Sequence, residues 1–249
     1  MPAIARSDPP AAAAPAPPLP LPASRPADRE RLYVVLATVF INVLAVFAFA
    51  FVPWSNWRTA VGLNLVDNAI LVGYALLRRD RLMGRLLLFG LAVGFLELPT
   101  DAWIVDVSRT LDYSAGGGPM VWRSPFWMPF AWEVVAVQFG YIGLLLYERW
   151  GWRGLLANAV LGAVNIPYYE EMARRIHWWT YDHTAMFPGT HTPWAIIAGE
   201  FLIAGYLGYF AAWLRRGGAG RAVLAGAAGG ASIFVGYTLP YWLILWLWP

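Results

Sequence analysis

The 249-residue chain contains no lysine and no cysteine, and only 13% of its residues are charged, about half the roughly 25% usual for soluble domains. Without lysine, no Schiff base to retinal or pyridoxal can form, which excludes rhodopsin-like chemistry. Without cysteine there is no disulfide, no thiolate nucleophile and no iron–sulfur ligand. Histidine is nearly absent too: His177, His183 and His191 sit close together outside every long apolar run, so a bis-histidine haem within a membrane is excluded. Their spacings fit neither a helical zinc pair nor a zinc finger, and no metal or cofactor is expected. No apolar segment alternates with period two, which argues against a transmembrane barrel.

Hydrophobic residues make up 59% of the sequence, including 15 Trp, 12 Tyr and 13 Phe. Residues 1–28 hold nine Pro and nine Ala without an apolar run and read as a disordered cytoplasmic tail. Seven apolar segments follow, at 32–52, 59–77, 86–107, 125–147, 152–173, 193–214 and 222–247, each close to the about 20 residues needed to cross a bilayer. The expected fold is all-α, a polytopic seven-transmembrane-helix bundle over residues 29–249. All eighteen cationic side chains are arginine, and thirteen lie in the tail and in the loops after the second, fourth and sixth segments. By the positive-inside rule the N-terminus is cytoplasmic and the C-terminus outside in a cell-membrane protein. Loops 108–124 and 174–192 then share the outer face with Trp54, Trp57, Trp122, Trp127, Trp178, Trp179, Trp194, Trp246 and Trp248, which read as an interfacial belt.

Acidic residues are not confined to loops. Asp67, Glu97, Asp101, Glu133, Glu170, Glu171 and Glu200 all fall within the expected spans, where an ionisable group costs about 2.5–3.5 kcal/mol at the helix centre on insertion scales. Counting residues from the helix ends places all of them in the outer half of the membrane. They imply an acid-lined, aromatic-rich cavity open toward the outer side. Glu97 and Asp101 lie on one helix face with Pro99 between them, a position expected to kink the helix. Glu133 and Glu200 have no arginine within reach on their own helices. Glu170 and Glu171 are followed by Arg174 and Arg175, the favourable order for ion pairs at a helix end, although Asn165-Ile-Pro167 suggests a helix break beside them. Asp67, Glu133 and Glu200 each precede a Gly-Tyr pair at drifting spacing, so an internal repeat is a weak expectation. Asn42 and Asn158 are explained by hydrogen bonds between helices.

The run Phe130-Ala-Trp132-Glu133-Val-Val135 resembles the intramembrane Trp-Glu motif of fungal meroterpenoid cyclases. Pro167-Tyr-Tyr-Glu170-Glu171 is similar to the Pro-x-Glu-Glu signature of lycopene cyclase domains, with one residue more between Pro and Glu. The last segment has no acid where the fungal family carries an Asp. The resemblance to these integral-membrane terpenoid cyclases implies protonation-initiated cyclisation or isomerisation of a terpenoid or polyprenyl lipid. Glu133 would be the acid, with Glu97, Asp101 or Glu200 as proton partner. Trp132, Trp103, Tyr141, Trp194 and Tyr237 are the candidate aromatic contacts to substrate, since ring faces stabilise a carbocation by about 2 kcal/mol or more when desolvated. No Asp-Asp-x-x-Asp motif is present to hold a magnesium diphosphate. The expected partners are an apolar or lipid substrate and membrane lipids, not nucleic acid. Three other readings compete: a proton- or cation-coupled transporter using the same acid layer, a non-catalytic membrane subunit, and a prenyl-protein membrane protease. The last rests on Glu170-Glu171-Met-Ala-Arg174-Arg175, similar to that family's Glu-Glu-x-x-x-Arg, and on Phe187-Pro-Gly-Thr-His191, similar to its Phe-x-x-x-His.

Overall fold

The computed structural model describes residues 26–116 and 118–247. Each of the seven expected segments is a helix: α1 (Pro26–Phe49), α2 (Trp57–Leu77), α3 (Arg81–Trp103), α4 (Met128–Trp150), α5 (Trp152–Arg175), α6 (Trp194–Leu214) and α7 (Ala219–Leu247). The tail expectation falls on residues 1–25, which lie outside the described residues, as does Trp248. Pro26 to Asp28 already belong to the first turn of α1, where proline is tolerated because its missing N–H would be unpaired anyway.

Six of the helices are long and apolar enough to cross a membrane, and α5 is the exception. The difference lies in Arg153, Asn158, Asn165, Glu170 and Glu171, which dilute its apolar run. Two of these polar groups are turned inward. Asn158 Nδ2 donates to the Phe139 and Ala204 carbonyls at 3.0 and 2.6 Å, tying α5 to α4 and α6. Glu170 is buried as well. Neither proline breaks its helix: α3 continues through Pro99 and α5 through Pro167. The irregularity in α3 comes later, as a turn of π-helix over Ile104–Ser108.

Helices α3, α4, α6 and α7 form the centre of the bundle, and α5 packs on α4 and α6 while α1 and α2 flank one side. Small residues set these approaches. A Cβ on Gly94 would lie 1.9 Å from the Pro129 carbonyl oxygen, so α3 and α4 touch backbone to backbone there. On the outside, large apolar side chains such as Leu76, Leu77, Val164 and Leu224 are exposed, a surface suited to hydrocarbon solvent.

The two ends of the bundle differ in chemistry. At the arginine-rich end, Asp80 caps α3 by accepting from the Leu82 and Met83 amides at 3.0 and 2.8 Å, and Arg31 of α1 bonds both its oxygens. Burial opposes the Asp80 charge, yet Arg31 and the two amides prevail and hold the carboxyl below its ordinary range. Asp28, also buried, pairs with Arg31 and with Arg215 of α6, while Tyr141 of α4 donates to its carbonyl at 2.8 Å. At the opposite end the two long loops pair with each other. Strand β1 (Leu111–Asp112) runs antiparallel to β4 (Thr180–Tyr181), with Leu111 opposite Tyr181. A small hairpin of β2 (Met120–Val121) and β3 (Ser124–Pro125) lies beside them.

The close crossing at Gly94 gives a direct test. Gly94→Ala should destabilise the protein by roughly 1–3 kcal/mol through overpacking. Gly84→Ala, also in α3 but with nothing within 4 Å of the added carbon, should be neutral or stabilising by up to about 1 kcal/mol. Thermal unfolding of the two variants in detergent compares them.

Candidate functional site

A cavity of about 450 Å³ lies between α1, α2, α4 and α5, within the about 300–1,000 Å³ typical of small-molecule sites. Its lining is mostly apolar and holds no arginine or histidine. Toward the arginine-rich end it is lined by Leu32, Leu36 and Ile142; at the other end it meets Asp101, Glu170 and Glu200. The paired long loops roof this acidic end with Tyr113, Trp178, Trp179 and Tyr181.

Each of the three carboxyls takes a hydrogen bond from a tyrosine. Asp101 Oδ2 accepts from Tyr113 Oη and from Ser124 Oγ, both at 2.7 Å. Glu170 Oε1 accepts from Tyr181 Oη at 3.2 Å, and its other oxygen accepts from the Trp179 indole N–H. Glu200 Oε1 accepts from Tyr237 Oη. That last contact needs Gly199: the Tyr237 ring crosses α6 where a Cβ would stand 2.4 Å from the ring. Burial first, and then the neighbouring carboxyl (Asp101 for Tyr113, Glu170 for Tyr181), pushes both loop phenols well above their ordinary pKa. Both therefore remain donors at any physiological pH.

Aromatic rings enclose the acids. Trp127 lies 5.7 Å from Trp178 and 6.2 Å from Trp179, and Tyr169 stacks on Trp179 at 6.3 Å. Trp127, Trp178 and Trp179 are all buried, so they are not belt residues as expected but part of the cavity wall. Trp54, Trp122 and Trp246 are exposed, as interfacial residues would be. The Trp127 indole N–H, unlike those of Trp178 and Trp179, has no partner among the described residues.

The other candidates from sequence are placed elsewhere. Glu133 does not line the cavity; it faces α3 at Gly90, where its carbonyl would stand 2.6 Å from an added Cβ, and its carboxyl makes no hydrogen bond among the described residues. Glu97 is fully enclosed one turn before Asp101, and among the described residues neither of its oxygens has a hydrogen-bond partner. Asp67 accepts from Asn42 Nδ2 at 2.7 Å and so joins α2 to α1 behind the cavity wall. Asp67, Glu133 and Glu200 thus occupy three unlike settings, and the weak repeat has no counterpart in geometry. Of the five candidate aromatics, Trp132 and Tyr237 line the cavity. Trp103 packs edge-on against Phe234, Tyr241 and Trp242, Trp194 packs against Phe187, and Tyr141 belongs to the Asp28 cluster at the opposite end.

Glu171 is an ion-pair residue outside the cavity. Its Oε1 accepts from Arg174 and Arg175, both at 2.9 Å, and its Oε2 meets His191 Nδ1 at 2.8 Å. The two protease-like motifs therefore do touch, but both carboxyl oxygens are occupied at an exposed helix end. Among the described residues no group of three or more His, Asp or Glu is placed to hold a metal ion. Sequence marks neither Tyr113, Ser124 nor Tyr181 and assigns Trp179 to the belt, because nothing in a loop announces which carboxyl its donors will reach.

The donors to Asp101 are separable. Tyr113→Phe and Ser124→Ala should each lower stability by roughly 1–3 kcal/mol, the cost of leaving a buried acceptor short of a partner. The double variant should depart from additivity, since both donate to one oxygen. Chemical denaturation of the three variants would show this.

No curated protein and no solved structure matches the chain. A family model does match it, that of a domain of unknown function, DUF6989, over residues 98–244. The matched stretch begins at the Asp101 turn of α3 and runs through Tyr237, so it contains every carboxyl and tyrosine of the site. Because it spans more than half of the sequence, the chain belongs to the DUF6989 family.

Proposed function

We propose that this protein is a seven-span membrane enzyme that protonates an unsaturated, terpenoid-type lipid and lets it cyclise or isomerise, with Asp101 rather than Glu133 as the proton donor. The observation that carries the reading is the Asp101 carboxyl at the wall of a largely apolar, aromatic-lined cavity. Its Oδ2 is occupied by Tyr113 and Ser124. Oδ1 is then the oxygen that carries the proton in the neutral acid. Transfer of that proton to an alkene or epoxide leaves a carboxylate already held by two hydrogen bonds and generates a carbocation in the lipid. The rings of Trp127, Trp132, Trp178 and Trp179 offer π faces to that cation. An internal double bond closes the new carbon–carbon bond, and loss of a neighbouring proton restores an alkene.

Glu170 is well suited to take that proton, since donors from Tyr181 and Trp179 are already aimed at both its oxygens. Glu200 is a second acceptor. Glu97, one turn from Asp101 and sealed from solvent, can return a proton to it. The unpartnered Trp127 N–H suits a substrate with an oxygen near its reacting end. A transport reading would need a polar path to the arginine-rich end, but the cavity there is lined by Leu32, Leu36 and Ile142.

Lipid extracted with the purified protein and identified by mass spectrometry names the substrate class. Turnover in deuterium oxide should then place one deuteron in the product. Asp101→Asn should lower the rate by about 10²–10⁴, the usual worth of a general acid, while Glu133→Gln keeps most of it. Product without deuterium would dismiss protonation, and full activity in Asp101→Asn would move the acid role to Glu200.

Orientation belongs to the same proposal: the arginine-rich end faces the cytoplasm and the cavity's acidic end faces outward. Reporter fusions at Gly118 and Gly218 should give opposite signals. Equal signals would mean that α5 does not cross.

A further inference from the structure

The cavity wall is uneven. At the roof, Trp127, Trp178 and Trp179 are 4%, 2% and 8% exposed, so the acidic end is closed over by packed rings. Along the seam between α1 and α5 the lining residues are also surface residues: Leu36 is 43% exposed, Val43 37% and Leu161 48%. Asn165, another lining residue of α5, is exposed at the same seam. These two helices run in the same direction. Tyr168 Oη donates to the Val43 carbonyl at 2.7 Å, and Leu36 and Leu161 each stand seven residues earlier, about 10 Å toward the arginine-rich end. The contact between Tyr168 and Val43 thus bounds one end of a slot whose lips are Leu36 and Leu161.

We infer that the cavity is loaded sideways from the bilayer through this slot, and that its ligand is a lipid dissolved in the hydrocarbon core rather than a solute arriving from water. Three observations agree. The lips are aliphatic, and the surface around them continues as Val160, Val164 and Phe40, all exposed, so an acyl or prenyl chain can slide from lipid to cavity without leaving an apolar setting. Asn165 lies past the lips, one helical turn from Leu161, where a polar end would first meet a partner. Pro167, beside Tyr168, has no N–H to give to the helix, so α5 has one restraint fewer where the slot must widen. This inference rests on the lipid-binding reading of the cavity given above.

The absence of cysteine allows a clean test. Leu161→Cys, folded and reconstituted in phosphatidylcholine vesicles, carries a single thiol that adds across the double bond of N-benzylmaleimide and fills the slot with a benzyl group. The probe is a long-chain alkyl diazirine dissolved in the same vesicles, which on irradiation loses nitrogen and inserts into nearby bonds. Peptide mass spectrometry reads the label at Trp132 and Tyr169 inside the cavity and at the exposed Trp242 of α7 as a surface reference. Before alkylation both regions should be labelled; after it the cavity label should be lost while the Trp242 label stays. Val43→Cys, alkylated in the same way, should give the same loss from the α1 side. Cavity labelling that survives alkylation in both variants would overturn the lateral route while leaving the lipid site intact. A cavity never labelled, even before alkylation, would overturn both.

Discussion

A carboxyl enclosed in a bundle that is itself surrounded by hydrocarbon can hold a charge only where the protein supplies its donors, because no solvent can do so. That requirement organises the acidic end of this molecule. Asp101, Glu170 and Glu200 come from α3, α5 and α6, but the hydroxyls and indole N–H that meet them come from the two long loops and from α7. The loops cannot float above the membrane surface; Tyr113, Ser124, Trp179 and Tyr181 pull them down onto the helix ends. The short ladder between β1 and β4 then follows, because two segments drawn to adjacent carboxyls are brought within reach of each other.

The same requirement separates the acids into two kinds by what meets them. Asp28, Asp80 and Glu171 are met by arginine, and an ion pair fixes position while neutralising charge. Asp101, Glu170 and Glu200 are met by neutral donors, which leave a proton or a charge available. A cavity lined by the second kind and free of arginine is a place where a positive charge in a ligand can be met, whether that charge lasts or exists only during reaction.

Helices were readable from sequence because apolar length is a local property: all seven segments are helices, six of them long and apolar enough to cross a membrane, and the Asn42 and Asn158 bonds between helices were foreseeable from isolated amides in apolar runs. Counting residues from the helix ends agrees with the meeting of Asp101, Glu170 and Glu200 at one end of the cavity. Azimuth was not readable. Glu133 and Trp132 are neighbours in sequence, yet one faces α3 and the other the cavity, and only packing at Gly90 and Gly94 decides which. The continuous α5 was misjudged at Pro167, because a proline's missing hydrogen bond is a small loss when the flanking turns are held by neighbours. The belt assignment of Trp127, Trp178 and Trp179 failed because a tryptophan near a helix end can turn toward lipid headgroups or toward a roof, and composition does not distinguish them.

The cluster around Asp28 has a mechanical consequence. It ties the first turn of α1 to its neighbours through Arg215 and Tyr141, while Arg31, one turn on in α1 and paired with Asp28, binds the cap of α3. Farther along, beside the packing of Val35 and Val46, its side-chain hydrogen bonds to other helices among the described residues use uncharged donors: Gln138 on Thr38, Asn42 on Asp67 and Tyr168 on Val43. A rod clamped at its root and lightly stayed along its length behaves as a cantilever. A small tilt about Asp28 would leave its root in register with the rest of the bundle and be felt most in its far part, from the Val43 contact with α5 onward.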